Sequence, residues 1–163
     1  MRLFGFLLLT AGLLLAFDVP KNGQKVLPFS LPNQYGKTVT VGTDTQIILY
    51  VPDKKASNIM RELLDGKGSD YVPSRKMAVV SDLSNAPRFV RSLFILPGLK
   101  AYAYDMLIIE DEFSPVIFES ELEQVSVIEL DNGVQKSVQK AASKEELEKI
   151  IDSLSRINNG KDR

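Results

Sequence analysis

A chain of 163 residues, 44% hydrophobic and 25% charged, suffices for one globular domain with a sizeable core, and its net charge of −1 gives no general pull toward nucleic acid. It contains no cysteine, histidine or tryptophan. Cysteine redox chemistry, thiolate zinc sites, c-type haem attachment, histidine-ligated metals and Ser-His-Asp or Cys-His nucleophiles therefore cannot be built within it. General acid–base work would fall to Asp, Glu, Lys or Tyr, each needing a large pKa shift, so a non-enzymatic role is favoured.

Residues 1–17 (MRLFGFLLLTAGLLLAF) place Arg2 before an apolar run, the pattern of a secretory signal. Cutting after Ala16 puts Leu14 where a small residue is expected. As an uncleaved anchor, the run falls short of the roughly 20 residues that cross a bilayer comfortably. Signal peptide and N-terminal anchor both stay open. Either one places the rest of the chain outside the cytoplasm, periplasmic or extracytoplasmic, and a retained leader would hold it at the membrane. Without cysteine there is no lipoprotein anchor.

Residues 18–24 (DVPKNGQ) read as a polar linker. A hairpin follows over 25–41, with Phe29 and Leu31 on one face, a turn at 33–36 and a return arm at 38–41. Residues 46–51 contain Ile47-Ile48-Leu49-Tyr50-Val51 without a polar break, which suits a parallel strand buried on both faces. Pro52 ends it, 53–55 form an exposed turn, and Ser57 caps a helix through Leu64 with Ile59, Met60, Leu63 and Leu64 inward. A second central parallel strand spans 76–83. Ser84-Asn85-Ala86-Pro87 opens another helix, in which Phe89, Val90, Leu93 and Phe94 recur at helical spacing until Pro97-Gly98.

A further strand is expected at 102–110. Residues 125–130, the turn Asp131-Asn132-Gly133 and 134–138 make a β-hairpin. Ser143-Lys144-Glu145-Glu146 is a capping box. Leu147, Ile150, Ile151, Leu154 and Ile157 then form one apolar helix face, and 158–163 make a disordered tail. The two apolar strands should lie side by side, joined by a right-handed helical crossover, with 125–130 on the far side of 46–51.

The stretch PFSLPNQYGKTVTV, standing just before the buried strand, resembles the N-terminal hairpin of peroxiredoxins and of membrane-tethered thioredoxins of the thiol-specific antioxidant type. The closing VSVIELDNGVQKSVQKAASKEELEKII is similar to the last hairpin and helix of the thioredoxin-like superfamily. With the leader and FVRSLF…AYAYDMLII, the chain also looks similar to the YtfJ family of periplasmic proteins. The resemblance implies an α/β fold over residues 25–157: a thioredoxin-like three-layer α/β/α sandwich with an added N-terminal β-hairpin. In that superfamily the attacking cysteine would fall within 53–57, and a cis-proline near Gln124. Both are missing here, so the resemblance implies a redox-inactive member.

Lys54 and Lys55 stand at a helix start, where free N–H groups and the helix dipole favour an anion; a solvated lysine turn is the blander reading. Ser57 stands where a cysteine replacement or nucleophile would, with no histidine to activate it. The acidic runs Glu110-Asp111-Glu112 and Glu119, Glu121, Glu123 lack the ligand spacing of a dedicated calcium loop and read as a solvated rim, so no metal is expected. No G-x-G-x-x-G follows a strand, and no cofactor is expected. Tyr102 and Tyr104, with Pro97, suggest either a peptide groove or half-buried core tyrosines.

In open α/β sheets, ligands gather outside the carboxyl ends of the parallel strands. The candidate binding surface is therefore Pro52, Lys54, Lys55, Ser57 and Gln124, a cationic-lipped groove for a protein or peptide partner. The expected function is an exported, cysteine-free, non-catalytic binding module. The alternatives are an accessory subunit of a redox or cofactor-dependent enzyme, or a membrane-tethered structural subunit.

Overall fold

All five residues of Ile47–Val51 (β3) are buried, and the fold is layered around them. The computed structural model describes residues 19–161 except 112, 113, 115 and 117; the leader at 1–17 and residues 162–163 lie outside the described residues. A hairpin, Phe29–Pro32 (β1) and Thr38–Val41 (β2), comes first. After β3 come Lys54–Leu64 (α1), the short Tyr71–Ser74 (α2) and Met77–Asp82 (β4). Arg88–Val90 (α3), a π-helical turn at Arg91–Ile95 and Leu96–Leu99 (α4) lead into Met106–Ile109 (β5). Val125–Asp131 (β6), Val134–Ala141 (β7) and Lys144–Lys161 (α5) close the chain.

The five-stranded sheet runs β5-β4-β3-β6-β7. β3 pairs parallel with β4, as the uninterrupted apolar runs predict, and on its far side pairs antiparallel with β6. Alternation along β3 divides the core. Ile47, Leu49 and Val51 face α1 and α5, packing with Ile59, Met60, Leu63, Leu147 and Ile151. Ile48 and Tyr50 face the opposite way, toward Leu27, Phe29 and Leu31 of the hairpin arm. Val116 and Phe118 complete that second face, with the Phe118 ring 5.3 Å from Tyr50 and 5.9 Å from Phe29.

The sheet edges are covered by polar contacts. At β5, the Gln34 N–H donates to the Met106 carbonyl (3.1 Å), the Met106 N–H donates to Gln34 Oε1 (2.8 Å), and Gln34 Nε2 donates to the Tyr104 carbonyl (2.8 Å). At the other edge, the Gly23 N–H donates to the Gln135 carbonyl and the Val26 N–H to the Gly133 carbonyl, both at 2.8 Å. The stretch read as a linker is thus docked on the sheet. Asn132 and Gly133 have φ of 49° and 80°, the two positive values a type I′ turn requires. A Cβ at Gly133 would also stand 3.1 Å from that of Leu27.

Five local expectations need correction. α1 begins at Lys54 with Asp53 as its N-cap, so Ser57 lies inside the first turn and caps nothing. The helix after β4 does not stop at Pro97-Gly98 but runs to Leu99 through the π-helical turn. Ile95 and Leu96 pack inward with Leu99, Val90 is half-buried at the groove wall, and Phe89, Leu93 and Phe94 are 64–69% exposed. Tyr102 and Tyr104 precede β5 instead of alternating along it, because the Ala101 and Tyr102 N–H groups still bond the Gly98 and Leu99 carbonyls in a helical turn. Finally, Ile157 is half exposed, although Leu147, Ile151 and Leu154 are buried as expected and Ile150 is partly so. α5 continues to Lys161, into the stretch read as a tail.

Denaturation separates the docked and free parts of α5. Ile151→Ala should cost about 2–5 kcal/mol, because a fully buried side chain leaves a cavity. Ile157→Ala should change stability by less than about 0.5 kcal/mol. Equal losses in urea titrations would mean that the helix docks in another register.

Candidate functional site

Where β3 and β4 end side by side, the chain leaves each strand through a loop, and the two loops diverge around a groove of about 560 Å³. Pro52, Asp53, Lys54 and Ser57 form one wall. Ser81, Asp82, Leu83, Asn85 and Ala86 form the other, and Val90, Phe94, Ile95 and Leu99 close it with apolar surface. Three of the five residues expected from sequence therefore line one cavity: Pro52, Lys54 and Ser57. Lys55, in the first turn of α1, and Gln124, just before β6, do not line it. The Lys55 ammonium lies 2.6 Å from Glu123 Oε2, and Gln124 is half-buried next to that pair.

The polar framework explains why both loops hold this shape. Asp53 Oδ1 accepts the N–H groups of Lys55 (2.8 Å) and Ala56 (2.9 Å), capping α1. Its Oδ2 accepts the N–H of Glu123 at 2.5 Å, across to the start of β6. Glu123 has a φ of 69°, a left-handed conformation uncommon for a side chain of its size. Partial burial opposes ionisation of Asp53. The three backbone donors, from Glu123, Ala56 and Lys55, and the Lys55 charge outweigh it and hold the carboxyl below its usual range. Two first-turn N–H groups that an incoming anion would need are thus already taken by the chain's own carboxylate. The anion-site reading of Lys54 and Lys55 loses its backbone half.

The second loop is fixed in the same way. The Tyr50 hydroxyl donates to Asp82 Oδ2 (2.6 Å), while Asp82 Oδ1 accepts the Ser84 N–H (2.8 Å) and Oγ–H (2.6 Å). Burial, followed by the Asp82 hydrogen bond and charge, pushes the Tyr50 phenol far above its ordinary value, so it stays a neutral donor. The Arg91 guanidinium reaches back to the Leu83 carbonyl (3.0 Å) and to that of Glu110. These groups serve shape. Ser57 has no histidine to activate it.

The acidic rim is turned toward lysines. Lys140 lies 3.2 Å from Glu119 and 3.4 Å from Glu121, and hydrogen bonding to Glu119 leads the causes that raise its pKa. Among the described residues, no three carboxylates converge as a metal site would require. Glu112 lies outside the described residues. Tyr102 and Tyr104 meet with ring centroids 5.4 Å apart over a separate cleft near the hairpin tip. Pro97 does not line that cleft.

Sequence reasoning missed Asp53, whose signal was present: an Asp directly before a helix is a preferred N-cap. It also missed the apolar wall of Val90, Phe94 and Ile95, because the π-helical turn that aims those residues has no sequence signature here.

No protein-family model matches the chain, and no curated protein matches it. Solved structures do. A Chlorobium tepidum protein assigned as a thiol:disulfide interchange protein DsbE aligns with a TM-score of 0.55 at 17% identity, covering 83% of this chain and 99% of that one. The peroxidoxin BcpB of Mycobacterium tuberculosis gives 0.54 at 16%, over 85% and 98%. A thioredoxin-like protein of Bacteroides vulgatus gives 0.52 at 12%, over 89% and 97%. At such identities the likeness is one of fold. It does not extend to the narrower YtfJ resemblance. The chain has a thioredoxin-like α/β fold, with a β-hairpin ahead of the core and no thiol at the strand-to-helix junction.

Removing the Asp53 carboxylate tests the framework. Asp53→Ala should cost about 1–2 kcal/mol at neutral pH, the usual loss of a good N-cap. The folded carboxyl titrates below the unfolded one, so its contribution is fully present above the unfolded value of about 4 and is lost as pH falls through the folded value. The gap between wild type and variant in chemical denaturation should therefore narrow on acidification. A gap that widens toward acid would contradict the assignment.

Proposed function

We propose that this chain is an exported, redox-inactive binding module that takes a segment of a peptide or protein partner into the groove between the carboxyl ends of β3 and β4. The groove itself carries this reading. It lies where open α/β sheets collect ligands, it combines an apolar wall with a hydrogen-bonding rim, and its two carboxylates are already committed to the chain's own donors. A cavity of this kind favours contact by shape and side-chain burial over bond-making chemistry. The absence of cysteine from the whole chain fits the same reading.

Within it, Pro52 and Ser57 meet the partner inside the groove, and exposed Lys54 forms a cationic lip. Lys55 and Gln124 act from the neighbouring corner, where Lys55 is engaged with Glu123. The Lys55–Glu123 pair is well exposed on both sides, so it adds about 0–1 kcal/mol and yields readily to a partner. Export rests on the apolar leader at 1–17.

A photoreactive phenylalanine analogue at Asn85, in the groove wall, should crosslink a defined partner in cells. The same analogue at Lys149 on α5 should not. Lys54→Glu should weaken the Asn85 crosslink while leaving thermal stability unchanged. Equal capture from both positions, insensitive to Lys54→Glu, would overturn the groove assignment. Fractionation of the same cells should find the protein outside the cytoplasmic fraction, and a purely cytoplasmic protein would overturn the export reading.

A further inference from the structure

A surface helix ordinarily buries an apolar stripe and shows solvent a polar face. The helical run from Arg88 to Leu99 packs Ile95, Leu96 and Leu99 against the core but also shows solvent large apolar side chains. Its exposed positions are Arg88, Phe89, Ser92, Leu93, Phe94, Pro97 and Gly98, with Phe89, Leu93 and Phe94 at 64%, 65% and 69% exposure. A π-helical turn at Arg91–Ile95 runs through this segment, and Ile95, Leu96 and Leu99 take its inner face. Three large apolar side chains grouped on one exposed element mark an interaction surface.

Along the chain, the segment that carries the patch has charge of one sign, while Asp53 and Asp82 line the groove that Phe94 also closes. Residues 84–104 contain Arg88, Arg91 and Lys100 and no acidic residue, in a chain whose overall charge is −1. Arg88 and Lys100 are exposed. Phenylalanine and leucine rimmed by basic side chains suit a surface that is anionic outside and apolar just beneath, which is the headgroup boundary of an anionic bilayer. Such a contact is weak alone and becomes stable when a second membrane signal acts with it. The apolar stretch at 1–17 is a candidate for that second signal when it is retained.

We infer that the Phe89, Leu93, Phe94 patch with Arg88 and Lys100 is an interfacial docking site for anionic lipid. It lies beside the groove, since Phe94 also closes the groove wall, and a patch seated in lipid brings the groove mouth to the membrane surface. The inference goes beyond the partner-binding reading and stands or falls without it.

The chain has no tryptophan, so Leu93→Trp supplies a single reporter in the full-length protein. On vesicles of phosphatidylglycerol and phosphatidylcholine, its fluorescence should shift to the blue and be quenched by brominated acyl chains. A Lys149→Trp control on exposed α5 should do neither. Arg88→Glu with Lys100→Glu should weaken the vesicle-dependent shift by about tenfold or more, and added salt should weaken it too. Vesicle binding that leaves the Leu93→Trp signal unchanged would assign attachment to the leader alone and overturn the site. An equal shift on pure phosphatidylcholine would overturn its anionic character. A shift that grows with protein concentration in the absence of lipid would assign the patch to a second copy of the chain, overturning the inference as well.

Discussion

One carboxylate joins the end of β3, the first turn of α1 and the entry to β6. Asp53 leaves β3, caps α1 through the Lys55 and Ala56 amides, and accepts the Glu123 amide at the entry to β6. Hydrogen bonds to an ionised acceptor are stronger than neutral ones. The exposed Lys55–Glu123 ion pair runs over the same gap and is the lesser contribution. Asp53 therefore sets how α1 meets the sheet, and with it the position of Lys54 and Ser57 on the groove wall.

The rest of the fold supplies a rigid frame for that corner. β3 is buried on both faces, with helices packed on one and the hairpin with Val116 and Phe118 on the other. Gln34 covers the outer edge at the start of β5, and the 23–26 stretch covers the start of β7. The groove at the carboxyl end is then a place where the frame stops and two short loops take over. The Tyr50–Asp82–Ser84 chain holds the second loop much as Asp53 holds the first. A thioredoxin-like fold holds this corner by hydrogen bonding, in a chain that contains no thiol.

The sheet was legible because its signals are strong ones. β3 and β4 are continuous apolar runs, the Asn132-Gly133 turn demands positive φ twice, and Leu147, Ile151 and Leu154 repeat at helical spacing. The local errors share a cause: several residue types satisfy one pattern, and tertiary contacts choose among them. Ser57 and Asp53 both qualify as caps, and the Glu123 amide at the entry to β6 favours Asp53. Phe89, Val90, Leu93 and Phe94 have ordinary helical spacing, and the π-helical turn redistributes them. Of the predicted site, Pro52, Lys54 and Ser57 share one cavity because they follow a single strand end. Its apolar wall comes from an element whose geometry the sequence does not announce.

The bridging role of Asp53 is tested most directly by amide hydrogen exchange in wild type and Asp53→Asn. Asparagine keeps one carbonyl oxygen to cap α1, but its amide nitrogen cannot accept the Glu123 N–H. Protection at Lys55 and Ala56 should survive, whereas the Glu123 amide should exchange about tenfold faster, as expected for loss of a charge-assisted hydrogen bond. Unchanged protection at Glu123 would show that the entry to β6 is held without Asp53 and would contradict the account.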